Sequence, residues 1–297
     1  MELHRYRGRQ DLARLLAFCS AATAARAPSR PPWHPGELAW ELRGHFDEDR
    51  ALYAVVRDGS VVGALSLQSE NMIFDVLPRD ASLLPRVLDA AIEKARDAGF
   101  SRLETETPDD DCECQAALAA AAFTCARPGW VLFERDLIRN PPAMPHISGF
   151  RFRDCVGIDA EARAGVHRAA WSALGYMGIT RESKFSADDY LSLAVGGAYD
   201  PRFDIIAEAC DGRLAGSATA WADRASGVAV FEPVGVAPEF RGSGVASAMM
   251  AEAMNRLARG GMRRAHVLTP HYNAAALGAY GKAFDRAGST SIWTRVL

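Results

Sequence analysis

Between Phe231 and Arg259 the chain reads FEPVGVAPEFRGSGVASAMMAEAMNRLAR. A strand-like apolar run, a loop holding Gly242 and Gly244, and a long helical pattern follow one another in that order. This order limits what the segment can become. The first N–H groups of a helix have no intrahelical acceptor, and the helix dipole favours an anion beside them. Glycine in the loop lets main chain approach that anion without a Cβ in between. Two well-known phosphate loops are excluded by their spacing. A Walker loop needs a lysine after its last glycine, and none stands here. A dinucleotide fingerprint needs a third glycine, where this chain has Ser247.

The pattern that does fit is Q/R-x-x-G-x-G/A, with Arg241, Gly244 and Ala246 at its fixed positions. A second block follows a strand-like run at 264–269 and reads HYNAAALGAYGKAF. In it Asn273, Ala276 and Tyr280 fall at i, i+3 and i+7, one face of a helix. Together the two motifs resemble the coenzyme A loop and the N-x-x-A-x-x-x-Y element of the GNAT superfamily of N-acetyltransferases. The resemblance implies an α/β fold built on a mixed sheet, with acetyl-CoA as co-substrate and no metal. It implies that main-chain N–H groups from Arg241 through Gly242, Ser243, Gly244, Val245 and Ala246 hold the pyrophosphate. It further implies that Asn273 touches the pantetheine arm, and that Val234 and Val236 offer backbone groups from a strand that splays from its neighbour. The Arg241 side chain either adds charge there or forms a surface ion pair.

Acetyl transfer to an amine needs a proton acceptor for the amine and a proton donor for the departing thiolate. Tyr280 is the candidate general acid, since a phenol of reference pKa about 10 stays protonated at neutral pH. Glu232 is the candidate general base. It interrupts an apolar strand, and period-two alternation puts it on the face of Val234 and Val236. His271 is its rival, and His266 reads as packing. Trp171, Tyr176 and Met177 are expected to border the acceptor. Nothing in that stretch announces a particular acceptor, and a small-molecule amine is the leading expectation. A non-catalytic acyl-CoA sensor and a protein lysine acetyltransferase stay open beside it.

The chain has 297 residues, enough for two domains. Residues 139–149 hold three prolines and little periodicity, which reads as a linker between domains at 1–138 and 150–297. In the second half the pattern predicts a strand at 150–155, helices at 159–174 and 187–195, and strands at 203–210, 214–222 and 227–236. A helix at 243–259, a strand at 263–269, the Tyr280 helix and a strand at 289–297 follow. The first half has the same plan, with strands at 2–7, 51–57, 61–67, 71–77, 101–107 and 130–138 and helices at 10–25, 36–46, 82–98 and 112–122. Sliding by 160 residues puts Val76 on Val236 and Pro78 on Pro238, an internal repeat of one domain plan. The loops differ. Ala81 and Ser82 stand for Arg241 and Gly242, Leu84 and Arg86 for Gly244 and Ala246, and Pro85 has no N–H to give. The first half also lacks a counterpart of Tyr280. A tandem protein with a degenerate, non-binding first half is therefore expected.

Charge and cysteine content narrow the classes. Position 149 divides 17 basic and 22 acidic residues from 17 basic and 15 acidic ones, so the halves carry −5 and +2. Neither is basic enough for nucleic acid. No apolar run is long enough for a bilayer, and the charged start predicts a cytoplasmic protein without a leader. The six cysteines form no C-x-x-C pair and read as reduced thiols. The sequence does not select an oligomeric state.

Overall fold

The computed structural model describes residues 1–297 except 28, 43–50, 173, 175–182 and 195–196, and excepting the side chains of 9 and 10. The chain divides into two compact units. One comprises residues 1–38, 45–131 and 288–297, and the other residues 39–44 and 132–287.

The first unit is a sheet of β1 (Glu2–Arg5), β2 (Ala51–Arg57), β3 (Ser60–Gln68), β4 (Asn71–Val76) and β5 (Arg102–Pro108). Helices α1 (Arg9–Arg26), α3 (Leu84–Asp97) and α4 (Cys112–Ala120) accompany it, while the short α2 (Pro35–Glu41) runs from this unit into the next. Strands β1 to β4 pair antiparallel in sequence order, and β4 pairs parallel with β5. Two-residue turns join β2 to β3 at Asp58-Gly59 and β3 to β4 at Ser69-Glu70, all four residues at positive φ as type I′ turns demand. Helix α3 buries Leu84, Val87, Leu88, Ala91, Ile92 and Ala95, a 3.6-residue stripe laid on the sheet.

The second unit repeats the plan. Strands β7 (Phe150–Asp154), β8 (Asp204–Ala209), β9 (Leu214–Asp223) and β10 (Val228–Val236) run antiparallel, and β10 pairs parallel with β11 (Arg264–Pro270). Helices α5 (Ala160–Ala170), α6 (Ala187–Leu193), α7 (Val245–Arg259) and α8 (Ala274–Ala283) complete it. The starts of α5 and α6 carry side-chain caps. The Asp159 carboxylate accepts from the Ala162 N–H, and Ser186 with Asp189 closes a capping box.

The compact units are not the two sequence halves. Strand β12 (Asp285–Val296) pairs from Thr290 to Val296 with β5 and so completes the first unit's sheet. Strand β6 (Thr124–Asp136) starts in the first unit, and from Leu132 onward it is the second unit's edge beside β11. Residues 139–149 belong to the second unit, where the Asn255 side chain donates to the Pro142 carbonyl at 3.3 Å. Strand β6 also begins six residues earlier than the pattern predicts, because Thr124–Gly129 pairs as strand in spite of its exposed, polar reading. Among the described residues no helix is long and apolar enough to cross a membrane.

Candidate active site

The ladder between β10 and β11 joins only Val228 to Arg264, Ala229 to Ala265 and Val230 to His266. Strand β10 meanwhile stays paired with β9 as far as Val236 opposite Gly216. The two parallel strands therefore part after Val230 and leave one edge of β10 open. The Ala237 N–H donates to Ala215 on the β9 side. Successive N–H groups of a strand point to opposite edges, so the Val236 N–H points into the opening. Close approach of neighbours demands glycine here. A Cβ on Gly235 would lie 2.8 Å from the Ala170 Cβ at the end of α5, and one on Gly216 would lie 2.6 Å from the Gly235 carbonyl oxygen.

The opening leads to the loop before α7. Gly244 sits in the left-handed region at φ 85°, and no side chain caps the helix. The first intrahelical bond is Ala248 N–H to the Gly244 carbonyl, at 3.2 Å. The N–H groups of Val245, Ala246 and Ser247 precede it and find no acceptor within the helix. Loop residues Arg241, Gly242, Ser243 and Gly244 are exposed, and nothing lies within 4 Å of a Cβ built on Gly242. No acidic residue sits in the first turn of α7, while Arg256 and Arg259 sit in its last. The cradle is open main chain at the positive end of a helix, which fits a diphosphate such as that of coenzyme A.

The Arg241 side chain does not reach into this cradle. Its Nε donates to the Val236 carbonyl at 3.1 Å, and an Nη donates to the Ala170 carbonyl at 3.0 Å. The guanidinium thus takes up free carbonyls at the C-terminus of α5 and fastens that helix to the end of β10. Neither sequence reading of the side chain, phosphate ligand or surface ion pair, describes it. A motif fixes which residue stands at a position, not which acceptor a six-bond side chain will find.

A second correction concerns Glu232. Phe231 lies opposite Ala220 and Val234 opposite Ala218, so three steps on β10 match two on β9. This bulge, where the Glu232–Pro233 peptide is cis, reverses the alternation. Val234 and Val236 share the face of Phe231, not that of Glu232. Glu232 is half-buried, and its carbonyl accepts from the Trp221 indole at 2.5 Å.

Asn273 is the N-cap of α8, its side-chain oxygen accepting from the Ala276 N–H at 3.2 Å. Tyr280 follows on that helix, 8% exposed, with its ring edge-on to Phe133 at 6.0 Å between centroids. His271 is exposed and lies edge-on to the Tyr272 ring. His266 is buried and hydrogen-bonds Glu134 at 3.0 Å. Burial would lift the Glu134 carboxyl, but its bonds from His266 and Arg264 hold it below the ordinary range. His266 is thereby committed to the β6–β11 edge.

On the α5 side, His167 packs between Trp171 (5.8 Å, stacked) and Phe185 (4.5 Å), and Trp40 adds its ring at 5.4 Å from Phe185. Tyr176 and Met177 lie outside the described residues. Below this aromatic layer is a buried polar cluster that the sequence reading missed. Arg163 binds Asp204 through two parallel bonds of 2.9 and 3.0 Å, and the Tyr199 hydroxyl donates to the same carboxylate at 2.8 Å. Thr219 bridges the two partners. Burial pushes the Tyr190 phenol up to about 12 and raises Tyr199 and Cys155 also. The signal was available only as an arginine on the apolar stripe of α5, four residues after its Asp159 cap.

The first unit keeps the splay and loses the cradle. Its parallel ladder joins Asn71 to Glu104 and Met72 to Thr105. A 3-10 helix at Pro78–Leu83 replaces the glycine loop, Pro85 occupies the start of α3, and Leu84 is buried in the core. Asp80 is buried there and paired with Arg57.

Residues 176–285 match the model of the acetyltransferase (GNAT) family. No curated protein matches the sequence. Among solved structures the chain is similar to a tandem GNAT protein from the clavulanic acid biosynthesis pathway, solved without AcCoA, at 18% identity and a TM-score of 0.63, covering 99% of this chain and 98% of that one. It is also similar to a GCN5-related N-acetyltransferase from Sphaerobacter thermophilus (18% identity, TM-score 0.60, 98% and 94% covered). A GNAT-family acetyltransferase from Colwellia psychrerythraea matches over the whole of both chains (14% identity, TM-score 0.60). These likenesses establish the fold, a tandem of two GNAT units.

Proposed function

We propose that the chain is a two-unit member of the acetyltransferase (GNAT) family, whose model matches residues 176–285, and that its second unit moves an acetyl group from acetyl-CoA to the amine of a small molecule. The observation that carries the proposal is the strand opening after Val230, which aims the Val236 N–H into the same gap that Gly244 and the free N–H groups of α7 border. Bound there, the thioester supplies an activated acyl group and a leaving thiolate. The Val236 N–H would polarise the thioester carbonyl, and the N–H groups of Val245 and Ala246, with the loop from Arg241, would hold the diphosphate. Asn273 would orient the pantetheine arm while it caps α8. The Tyr280 hydroxyl would give its proton to the sulfur. Glu232 would take the amine proton through water, since the bulge turns it off the face of Val234 and Val236. The aromatic layer of Trp171, His167 and Trp40 would floor the acceptor side. The first unit, with Leu84 buried and Pro85 at its helix start, would bind no coenzyme.

Thermal unfolding with acetyl-CoA, paired with thiol release across a panel of amines, tests the reading. Acetyl-CoA at one hundred times its dissociation constant should add about 2.7 kcal/mol to the stability of the second unit. Gly244→Val should abolish the shift, because a β-branched residue at φ 85° is strained and crowds the cradle. A shift without thiol release on any amine would favour an acyl-CoA sensor. Release only with peptide lysines would favour a protein acetyltransferase. No shift at millimolar acetyl-CoA would end the proposal.

Arg241→Ala separates the loop's two duties. The backbone cradle survives, while α5 loses its tie to β10. The KM for the amine should rise about tenfold, the worth of one charged hydrogen bond, with the KM for acetyl-CoA within about twofold of wild type. The reverse pattern would make the side chain a phosphate ligand after all.

A further inference from the structure

The first unit's splay is not filled in. Between the diverging ends of β4 and β5 lies a cavity of about 340 Å³, floored by Phe74, Val76 and Leu84 and closed by the turn into α4. This is the position that the coenzyme cradle occupies in the second unit, but its chemistry is of opposite sign. Five carboxylates line it, Asp75, Glu106, Asp110, Asp111 and Glu113, against two guanidiniums. Both guanidiniums are already engaged. Arg26 pairs with Asp75 at 2.7 Å and donates to the Val76 carbonyl at 2.7 Å, and Arg30 pairs with Glu37. A diphosphate entering here would meet net negative charge. One buried polar group on the wall has unused capacity. The Thr107 side chain is 1% exposed, and its hydroxyl, which can accept from an ammonium, has no hydrogen-bond partner among the described residues beyond the Cys114 thiol. An unsatisfied polar atom of this kind in a preformed, partly apolar pocket of about 300–1,000 Å³ marks a ligand site.

We propose that the cleft between β4 and β5 binds a small organic cation, a primary ammonium on an apolar body. The ammonium would sit among Glu106, Asp110 and Thr107, and the apolar part against Phe74 and Leu84. Burial holds Asp75 up to about 7 and raises Glu106, so both carboxyls gain from a positive partner. A divalent metal fits less well, since among the described residues no three His, Cys, Asp or Glu side chains converge as metal ligands. The site is separate from the proposed catalysis and does not depend on it.

The test is calorimetric titration of the full chain with n-hexylammonium, with n-hexanoate as the anionic counterpart, in saturating coenzyme A, which carries no acyl group to transfer, and again without it. Hexylammonium should bind and hexanoate should not. Glu106→Gln and Asp110→Asn, made singly, should each weaken hexylammonium binding about tenfold, while Glu232→Gln in the second unit leaves it unchanged. Asp110 is exposed, so Asp110→Asn gives a folded control if Glu106→Gln does not fold. Equal binding of hexanoate would overturn the proposal. So would binding lost on Glu232→Gln but kept in Asp110→Asn, or no hexylammonium binding at millimolar concentration.

Discussion

Replacing Tyr280 with phenylalanine should lower turnover by about 10²–10⁴-fold, the usual contribution of one positioned proton donor, and should leave the KM for acetyl-CoA within about twofold of wild type. The packing argues that the variant reads chemistry and not folding. Tyr280 is 8% exposed on α8, and its ring meets Phe133 edge to face at 6.0 Å, a contact phenylalanine keeps. The helix start is held independently by Asn273 and the helix end by the Phe284 N–H, which donates to the Tyr280 carbonyl at 2.8 Å. What disappears is the hydroxyl. Steady-state thiol release with the best amine of the panel gives kcat, and the thermal shift with acetyl-CoA gives binding. A leaving thiolate that must take its proton from water should slow kcat and kcat/KM for the amine together. An unchanged kcat with a full acetyl-CoA shift would remove Tyr280 from the mechanism. It would then leave the phenol as an ordinary core aromatic.

The local parts of this molecule were legible because local rules make them. The glycine before α7 needs a left-handed residue, Asp159 and Ser186 cap their helices through their own side chains, and Asp58-Gly59 can hardly be other than a hairpin. Tandem repetition was also visible, since Val76 and Pro78 keep the spacing of Val236 and Pro238. The partners of the last strands were not. Strands β6 and β12 carry patterns that suit any open parallel edge, and the two halves offer two nearly identical ones, at β5 and β11. Which edge each strand takes is decided by long-range packing, such as Trp293 and Leu297 against the first unit's core and Glu134 against Arg264 and His266 in the second. The face of Glu232 was misread for a related reason. Alternation holds only while two strands stay in register, and the shift between Phe231 and Val234 breaks it within one residue of the carboxylate. Trp40, in the segment 39–44, joins the second unit's core although it lies 92 positions before Leu132, where that unit's chain resumes. No periodicity reports such a contact.

Arg163→Ala should destabilise the second unit by about 3–5 kcal/mol, the cost of stripping one partner from a buried ion pair. Arg163 is 2% exposed and Asp204 fully buried, and the carboxylate takes two bonds from the guanidinium. Burial works against the Arg163 charge, but the attraction and hydrogen bonds of Asp204 outweigh it and hold the group firmly protonated. Without Arg163, the carboxylate keeps only the Thr219 and Tyr199 hydroxyls as donors. It must then carry an uncompensated charge or take up a proton. Arg163→Met with Asp204→Leu should restore most of the loss, because the pair already contains an unmet cost. The Arg163 Nη1 is buried without a hydrogen-bond partner, and apolar replacements have no such atom. Urea unfolding followed by the tryptophans of this unit, Trp40, Trp171 and Trp221, would report both variants, with the first unit's transition as an internal reference. A single-variant loss under about 1 kcal/mol would mean that water reaches Asp204 and that the cluster is no anchor. If the loss is as large as expected, α5 loosens first. Its last turn packs on Gly235 and is held by Arg241, so acceptor KM in Arg163→Ala should rise at temperatures where the unit is still folded.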